Sequence, residues 1–133
     1  MHADIQSSWN METGEVVYMV PGIRRVTREM LTDLCGADGT AYWAKCGKVA
    51  GEAIEWTVVE PHEFGEDGKE VRKYRATFER LAVALVEVSE GKHTNRDTAD
   101  ECAESIAEGH WIAGNDVSDC VIQVALFGEV VYG

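Results

Sequence analysis

The sequence predicts an α+β fold in which a small antiparallel sheet of three to four strands packs against three to four helices. Two patterns support this prediction: short β-rich runs bounded by turn residues fill the first half of the chain, and apolar residues recur at helical spacing in the second half. Of the 133 residues, 45% are hydrophobic and 27% are charged, a balance typical of one globular domain. We therefore expect a single domain over residues 15–133. Residues 1–14 offer few apolar anchors, and we expect them to be flexible or loosely docked.

The strands are predicted from runs of β-forming residues that end at turn residues. The run Val16 to Val20 stops at Pro21-Gly22, and a second strand falls within 40–49 after the turn at 36–39. A continuing helix is the alternative for the start of that second strand. Two further strands cover 53–60 and 69–76, with hairpin-turn residues at 66–69 between them. These last two strands are expected to be antiparallel neighbours.

The helices are predicted from apolar spacing and from capping residues. Thr27 caps a short helix that ends at Gly36, and Thr77 caps a second helix over 78–90 that is apolar on nearly every side. Such a helix belongs in the centre of the domain or in a subunit interface, and a homodimer is therefore expected. A third helix is capped by Asn95 or Thr94 and ends before Gly109. A fourth runs from Val117 or Ser118 to Phe127, with Asp116 or Ser118 as its cap.

The charge is strongly acidic, since 24 acids face 12 bases and the net charge is −12. Residues 95–133 hold eight acids and one base, a local net charge of −7. A surface of this sign repels the phosphates of a duplex and the headgroups of an anionic membrane, so neither is an expected partner. No apolar run approaches the roughly 20 residues that cross a bilayer, and the first residues show no secretory signal. The expected location is the cytoplasm.

The cysteines and histidines show no pattern of a metal or catalytic site. Four of each are present, but the close ligand pairs of zinc sites are missing. The absent secretory signal favours free, buried thiols over disulfides. We therefore predict no metal, no cofactor and no catalytic residue, and regard the chain as more consistent with a binding protein than with an enzyme. A small enzyme that uses Cys35 or Cys46 is the alternative.

Two local groups of residues suggest a ligand site for an anion and a ring. Arg24, Arg25 and Arg28 cluster at the start of the first helix, where guanidinium groups and the helix N-terminus favour a phosphate. Tyr42 and Trp43 follow a glycine-containing turn and could stack on a base. The alternatives are that the arginines balance nearby acids and that at least one aromatic residue packs in the core.

Two segments carry a resemblance to a known family. Residues 27–44 (TREMLTDLCGADGTAYWA) and 116–133 (DVSDCVIQVALFGEVVYG) resemble small, functionally unassigned proteins of bacteriophages, especially those of actinobacteria. The resemblance implies a phage origin and a location in the host cytoplasm during infection, but no activity. Because an apolar segment follows the last helix, we expect it to tuck into the core beside Tyr42-Trp43, which gives Tyr132 a structural role.

The leading functional hypothesis is a non-enzymatic accessory protein of a phage that binds a host component or a small signalling nucleotide and so counters host defence. Arg24, Arg25, Arg28, Tyr42 and Trp43 are its expected ligand-binding residues. The alternative is an acidic DNA mimic, in which carboxylates of the helix over 97–108 imitate a phosphate track and occupy a host DNA-binding protein.

Overall fold

The computed structural model describes residues 6–9, 16–21, 24–36, 38–40, 43–61 and 69–132. Within these ranges the strands are β1 (Gln6–Trp9), β2 (Val16–Val20), β3 (Arg24–Thr27), β4 (Ala44–Ala50), β5 (Ala53–Pro61) and β6 (Lys69–Thr77). The helices are α1 (Arg28–Gly36), α2 (Phe78–Ser89), α3 (Arg96–Glu108) and α4 (Asn115–Phe127), with a 3₁₀ turn at Asp38–Thr40. The predicted α+β class is confirmed.

The strands form two antiparallel sheets of three strands, whereas the sequence suggested one. Sheet A has the order β1-β2-β3 and sheet B the order β4-β5-β6. In sheet B, β5 and β6 pair along their whole length, from Ala53 opposite Thr77 to Pro61 opposite Lys69, as predicted. Each strand pairs with its neighbour in the chain, because short connections favour local antiparallel pairing.

Two of the strands in sheet A carry no clear sequence signal. β3 pairs antiparallel with β2, with Arg24 opposite Val20 and Thr27 opposite Val17. β1 lies within the segment that we expected to be flexible or loosely docked, and it pairs with β2 from Gln6 to Trp9. Both strands have four residues, too few for an alternating pattern to stand out, and both are held by backbone pairing with a better strand. The rest of segment 1–14 lies outside the described residues.

Three helices begin at a capping residue that the sequence identified. The side-chain oxygen of Thr27 accepts from the backbone N–H of Met30 at 3.1 Å, and that of Asn95 accepts from Thr98 at 2.9 Å. Thr77 caps α2 in the same way. Gly109 ends α3 with a φ of 81°, a left-handed conformation that glycine adopts without strain.

The fourth helix begins earlier than predicted. Gly114 occupies the N-cap position in extended backbone, and the N–H of Ser118 donates to its carbonyl. The prediction of Asp116 or Ser118 as the cap is therefore wrong. Glycine is an acceptable N-cap without a side-chain hydrogen bond, so the polar residues downstream gave a misleading signal.

Helix α2 occupies the centre of the structure. It packs against α1, α3 and α4 as well as against β2 and β6. Its buried side chains lie on most of its circumference: Phe78, Leu81, Ala82, Ala84, Leu85, Val86 and Val88. The predicted central position of this helix is confirmed, and the other elements are arranged around it.

The 3₁₀ turn approaches the first turn of α4 very closely. A Cβ atom built on Gly39 would lie 2.1 Å from the carbonyl oxygen of Asn115. No side chain fits in that space, so a glycine is required for the two backbones to meet. This contact fixes the position of α4 relative to the start of β4.

Candidate functional site

The arginines predicted to bind an anion lie at the junction of β3 and α1. Arg28 is the first residue of α1, and its Nε and Nη2 atoms donate to the hydroxyl of Tyr18 at 3.1 and 2.6 Å. Nη2 also pairs with the carboxylate of Glu52. The guanidinium carbon lies 4.5 Å from the ring centroid of Phe78, a cation–π distance. We call Arg28, Tyr18, Glu52 and Phe78 the Arg28 cluster.

The Arg28 cluster connects four parts of the fold. Tyr18 belongs to β2, Glu52 to the β4–β5 turn and Phe78 to the first turn of α2. Burial raises the pKa of Tyr18, and the hydrogen bond from Arg28 offsets only part of that effect, so the phenol stays neutral. Because Glu52 neutralises the guanidinium and Tyr18 accepts two of its hydrogen bonds, Arg28 acts first as a structural link.

The structure describes the other predicted ligand-binding residues less completely. Arg25 is exposed on β3, opposite Met19 of β2. Arg24 lies opposite Val20, but its side chain is outside the described part of the structure. Tyr42 also lies outside the described residues. The role of these three residues in ligand binding stays a prediction.

Trp43 lies in a different cluster from Arg28. It is 7% exposed, and its indole N–H donates to Oδ1 of Asp119 at 2.7 Å. Its ring stacks on that of Tyr132, with centroids 4.7 Å apart and planes 10° from parallel. Phe127 packs against both rings. The predicted position beside Trp43 is confirmed for Tyr132, but Val130 and Val131 are exposed and do not enter the core as expected. Trp43 contacts protein on the stacked face rather than a ligand.

A buried glutamine holds this segment, an arrangement that sequence reasoning missed. Gln123 is fully buried in α4, and its Oε1 accepts from the backbone N–H groups of Val131 and Tyr132, both at 2.7 Å. Its Nε2 donates to the carbonyl of Tyr132 at 3.0 Å and to Oδ1 of Asp119 at 2.9 Å. We call residues 128–132 the tail segment, and Trp43, Asp119, Gln123 and Phe127 the tail site. In the sequence, the signal available for this arrangement was a single amide side chain, that of Gln123, among the apolar residues of α4.

The outer side of α3 forms a continuous acidic surface. Its carboxylate residues are all exposed: Asp97, Asp100, Glu101, Glu104 and Glu108. We call these five residues the acidic face. Arg96 is the one cation of the helix, and its Nε lies 3.9 Å from Oδ2 of Asp100 in a pair exposed to solvent, so it neutralises little. All five carboxylates therefore face away from the core.

The described thiols are buried, and burial keeps two of them, Cys102 and Cys120, protonated. Burial raises the pKa of Cys102 from 9.0 to about 12, and it also raises the pKa of Cys120 against a hydrogen bond with Thr94. Neither thiol supplies the thiolate that nucleophilic catalysis requires. Cys35 is buried as well, and the side chain of Cys46 is outside the described part of the structure, so the alternative of an enzyme that uses them stays a hypothesis.

Neither a metal-binding cluster nor a membrane-spanning helix is found among the described residues. No group of three or more His, Cys, Asp or Glu residues is arranged to hold a metal ion there. In the same ranges, none of the helices has both the length and the apolar character that a membrane crossing requires.

Comparison with known proteins gives no further guide to the site. Neither the family models, nor the curated proteins, nor the solved structures contain a match to this chain. The proposed function therefore rests on the chemistry of the surfaces described above.

Proposed function

We propose that this protein is a non-enzymatic accessory protein of a phage that binds a basic, DNA-binding host protein through the acidic face of α3. The observation that carries the proposal is the uninterrupted row of exposed carboxylates on this helix. The resemblance of two segments to bacteriophage proteins supplies the setting, and the net charge of −12 favours a partner of opposite sign.

The spacing of the acidic face supports mimicry of a nucleic-acid strand. Asp97 and Glu108 are eleven residues apart, which is about 16 Å along a helix axis. Successive carboxylates are 3, 1, 3 and 4 residues apart, an average of about 4 Å along the axis. One strand of B-DNA presents a phosphate about every 3.4 Å along its axis. A protein surface that binds one strand of DNA would therefore meet a similar line of charge on α3.

The charges of the acidic face also destabilise α3 itself. Glu104 and Glu108 lie near the C-terminal end of α3, where the helix dipole favours cations, and the last turn has no basic residue. Like charges recur four residues apart at Asp97 and Glu101, and again at Asp100 and Glu104, each pair costing about 0.2–0.5 kcal/mol. Charges of mixed sign on this surface would be enough to keep the protein soluble. A function in recognition accounts for the same sign throughout.

The nucleotide-binding version of the hypothesis has less support. It needs a free guanidinium and an accessible ring, whereas Arg28 is paired with Glu52 and Trp43 is stacked on Tyr132. The acidic face needs no rearrangement to meet a partner.

The test compares two variants that carry the same change in charge. The first replaces Glu101, Glu104 and Glu108 on α3 by Gln, and the control replaces three exposed carboxylates on other elements, Glu29, Glu79 and Glu90, by Gln. Immobilised wild-type protein is used to capture basic proteins from the host, and the affinity of each purified partner is then measured by calorimetry at 50 and 200 mM NaCl. We expect affinity that falls steeply with salt and that drops at least tenfold for the α3 variant alone.

A DNA mimic must also compete with DNA. We expect a duplex to displace the protein from its partner in a fluorescence anisotropy assay. An equal loss of affinity in both variants, or a complex in which duplex DNA and this protein bind together, would contradict the proposal.

A further inference from the structure

The tail segment is held as a bound peptide is held. Its backbone N–H groups at Val131 and Tyr132 donate to one side-chain amide, that of Gln123, and the carbonyl of Tyr132 accepts from the same amide. The ring of Tyr132 stacks on Trp43. Backbone hydrogen bonds combined with one place for a specific side chain are a usual means by which proteins bind short peptide segments.

From this geometry we propose that the tail site is a peptide-binding site, occupied by the chain's own tail segment and open to a partner segment of the same chemistry. That partner segment carries a tyrosine at the position of Tyr132 and presents two consecutive backbone N–H groups to Gln123. It takes the place of Val131 and Tyr132 against Gln123 and Trp43.

The tail site is organised by contacts that do not involve the tail segment. Oδ1 of Asp119 accepts from the indole of Trp43 at 2.7 Å and from the amide of Gln123 at 2.9 Å. These two hydrogen bonds fix the plane of the ring and the direction of the amide. The ring of Phe127 is also held in position, because the ring of Tyr74 packs edge-on against it with centroids 5.0 Å apart. A site with this support keeps its shape when its occupant leaves, which lowers the entropic cost of binding another.

The described side-chain contacts of the tail segment lie at Val131 and Tyr132. Val130 and Val131 are 42% and 57% exposed, so their side chains add little to the attachment. Gly128 ends α4 with a φ of 80°, and the segment turns away from the helix at that point. Release therefore breaks the hydrogen bonds to Gln123 and the stack on Trp43 and leaves the helices in place.

This site is separate from the acidic face. It is formed by α4 and by the residue before β4, whereas the acidic face belongs to α3. The two proposals rest on different observations, and either stands without the other.

The test uses a fluorescein-labelled peptide with the sequence of the tail segment and the glycine that follows it, acetyl-Gly-Glu-Val-Val-Tyr-Gly-amide. In the full chain, Tyr132→Ala removes the stacking ring and weakens the resident segment, whereas Val130→Ala is a control that changes only an exposed side chain. By fluorescence anisotropy we expect the peptide to bind the Tyr132→Ala variant at least tenfold more tightly than the wild type, because the resident segment no longer competes. The control should match the wild type.

Two altered peptides test the contacts themselves. Proline at the second valine removes one of the two N–H groups that donate to Gln123, and alanine in place of tyrosine removes the ring that stacks on Trp43. Each change should weaken binding to the Tyr132→Ala variant at least tenfold. Equal affinity for the proline peptide, or no binding by a folded Tyr132→Ala variant at millimolar peptide, would overturn the proposal.

A second measurement needs no substitution. When unlabelled peptide is added to ¹⁵N-labelled wild-type protein, the amide resonances of Val131 and Tyr132 should move towards free-chain positions. The indole resonance of Trp43 should keep evidence of its hydrogen bond to Asp119. Unchanged amide resonances at millimolar peptide would also overturn the proposal, even if the Tyr132→Ala variant failed to fold.

Discussion

At the scale of single residues, Gly39 sets the distance between two parts of the backbone. We predict that Gly39→Ala destabilises the protein by about 1–3 kcal/mol, the usual cost of an added methyl group in a fully packed site. The reason is that its Cβ would lie 2.1 Å from the carbonyl oxygen of Asn115, so that α4 must shift. Urea unfolding followed by far-ultraviolet circular dichroism measures the change.

The matched control is Gly36→Ala at the end of α1. A Cβ atom there meets no atom within 4 Å among the described residues. We expect this variant to be as stable as the wild type or slightly more so, because alanine favours the helix. Equal stability of the two alanine variants would show that the close approach at Gly39 is not a constraint.

The candidate site residues show why chemistry is harder to predict than secondary structure. Arg28 and Trp43 are of types that bind anions and rings, and the sequence places both near turns. Their partners come from elsewhere in the chain: Glu52 and Tyr18 for Arg28, Asp119 for Trp43. Whether such a side chain meets a ligand or another residue depends on these long-range contacts, which composition and spacing do not contain.

At the scale of elements, the charges of α3 affect its stability in opposite directions at its two ends. We predict that Glu108→Lys stabilises the protein by about 0.5–1 kcal/mol, because a cation replaces an anion at the negative end of the helix dipole and lies four residues after Glu104. Asp97→Lys makes the same change in net charge in the first turn, where the dipole favours an anion. We expect no gain from that variant. Thermal unfolding of both variants measures the change in stability. Equal increases in the two variants would mean that only the net charge is involved.

Elements with their own start and stop signals were predictable, and elements that depend on a neighbour were not. Thr77 and Asn95 cap their helices through hydrogen bonds within one turn, so the local sequence identifies them. The strands β1 and β3 exist because β2 offers backbone groups on both edges. Helix α4 begins after Gly114, an N-cap without a side-chain hydrogen bond, so no local capping residue marks its start.

At the scale of the whole molecule, several buried groups make the free energy of unfolding fall as the pH rises into the alkaline range. The pKa values of Cys102, Cys120 and Tyr18 are all raised, mainly by burial. Each group therefore keeps its proton in the folded state at a pH where the unfolded chain has lost it. Their contribution to stability is complete below the ordinary pKa of each group and is lost as the pH rises towards the raised value.

We predict that Cys102 alone lowers the free energy of unfolding by about 1.4 kcal/mol for each pH unit above its ordinary pKa. The loss begins near pH 9.0 and continues to about pH 12, where the folded state also ionises. Cys102→Ala should remove this part of the pH dependence, as measured by urea unfolding between pH 7.5 and 10.5. Val121→Ala, which also removes buried volume, should keep the wild-type dependence. If Cys102→Ala keeps it too, the thiol does not contribute.

The central position of α2 has a consequence for how the protein is made. This apolar helix is complete at residue 89, but two of the three helices that pack against it, α3 and α4, end at residues 108 and 127. A ribosome delivers the chain in that order, so α2 meets water, other nascent chains and chaperones before its cover has been synthesised. The time needed to translate α3 and α4 is therefore the interval in which this protein is most exposed to aggregation in the cell.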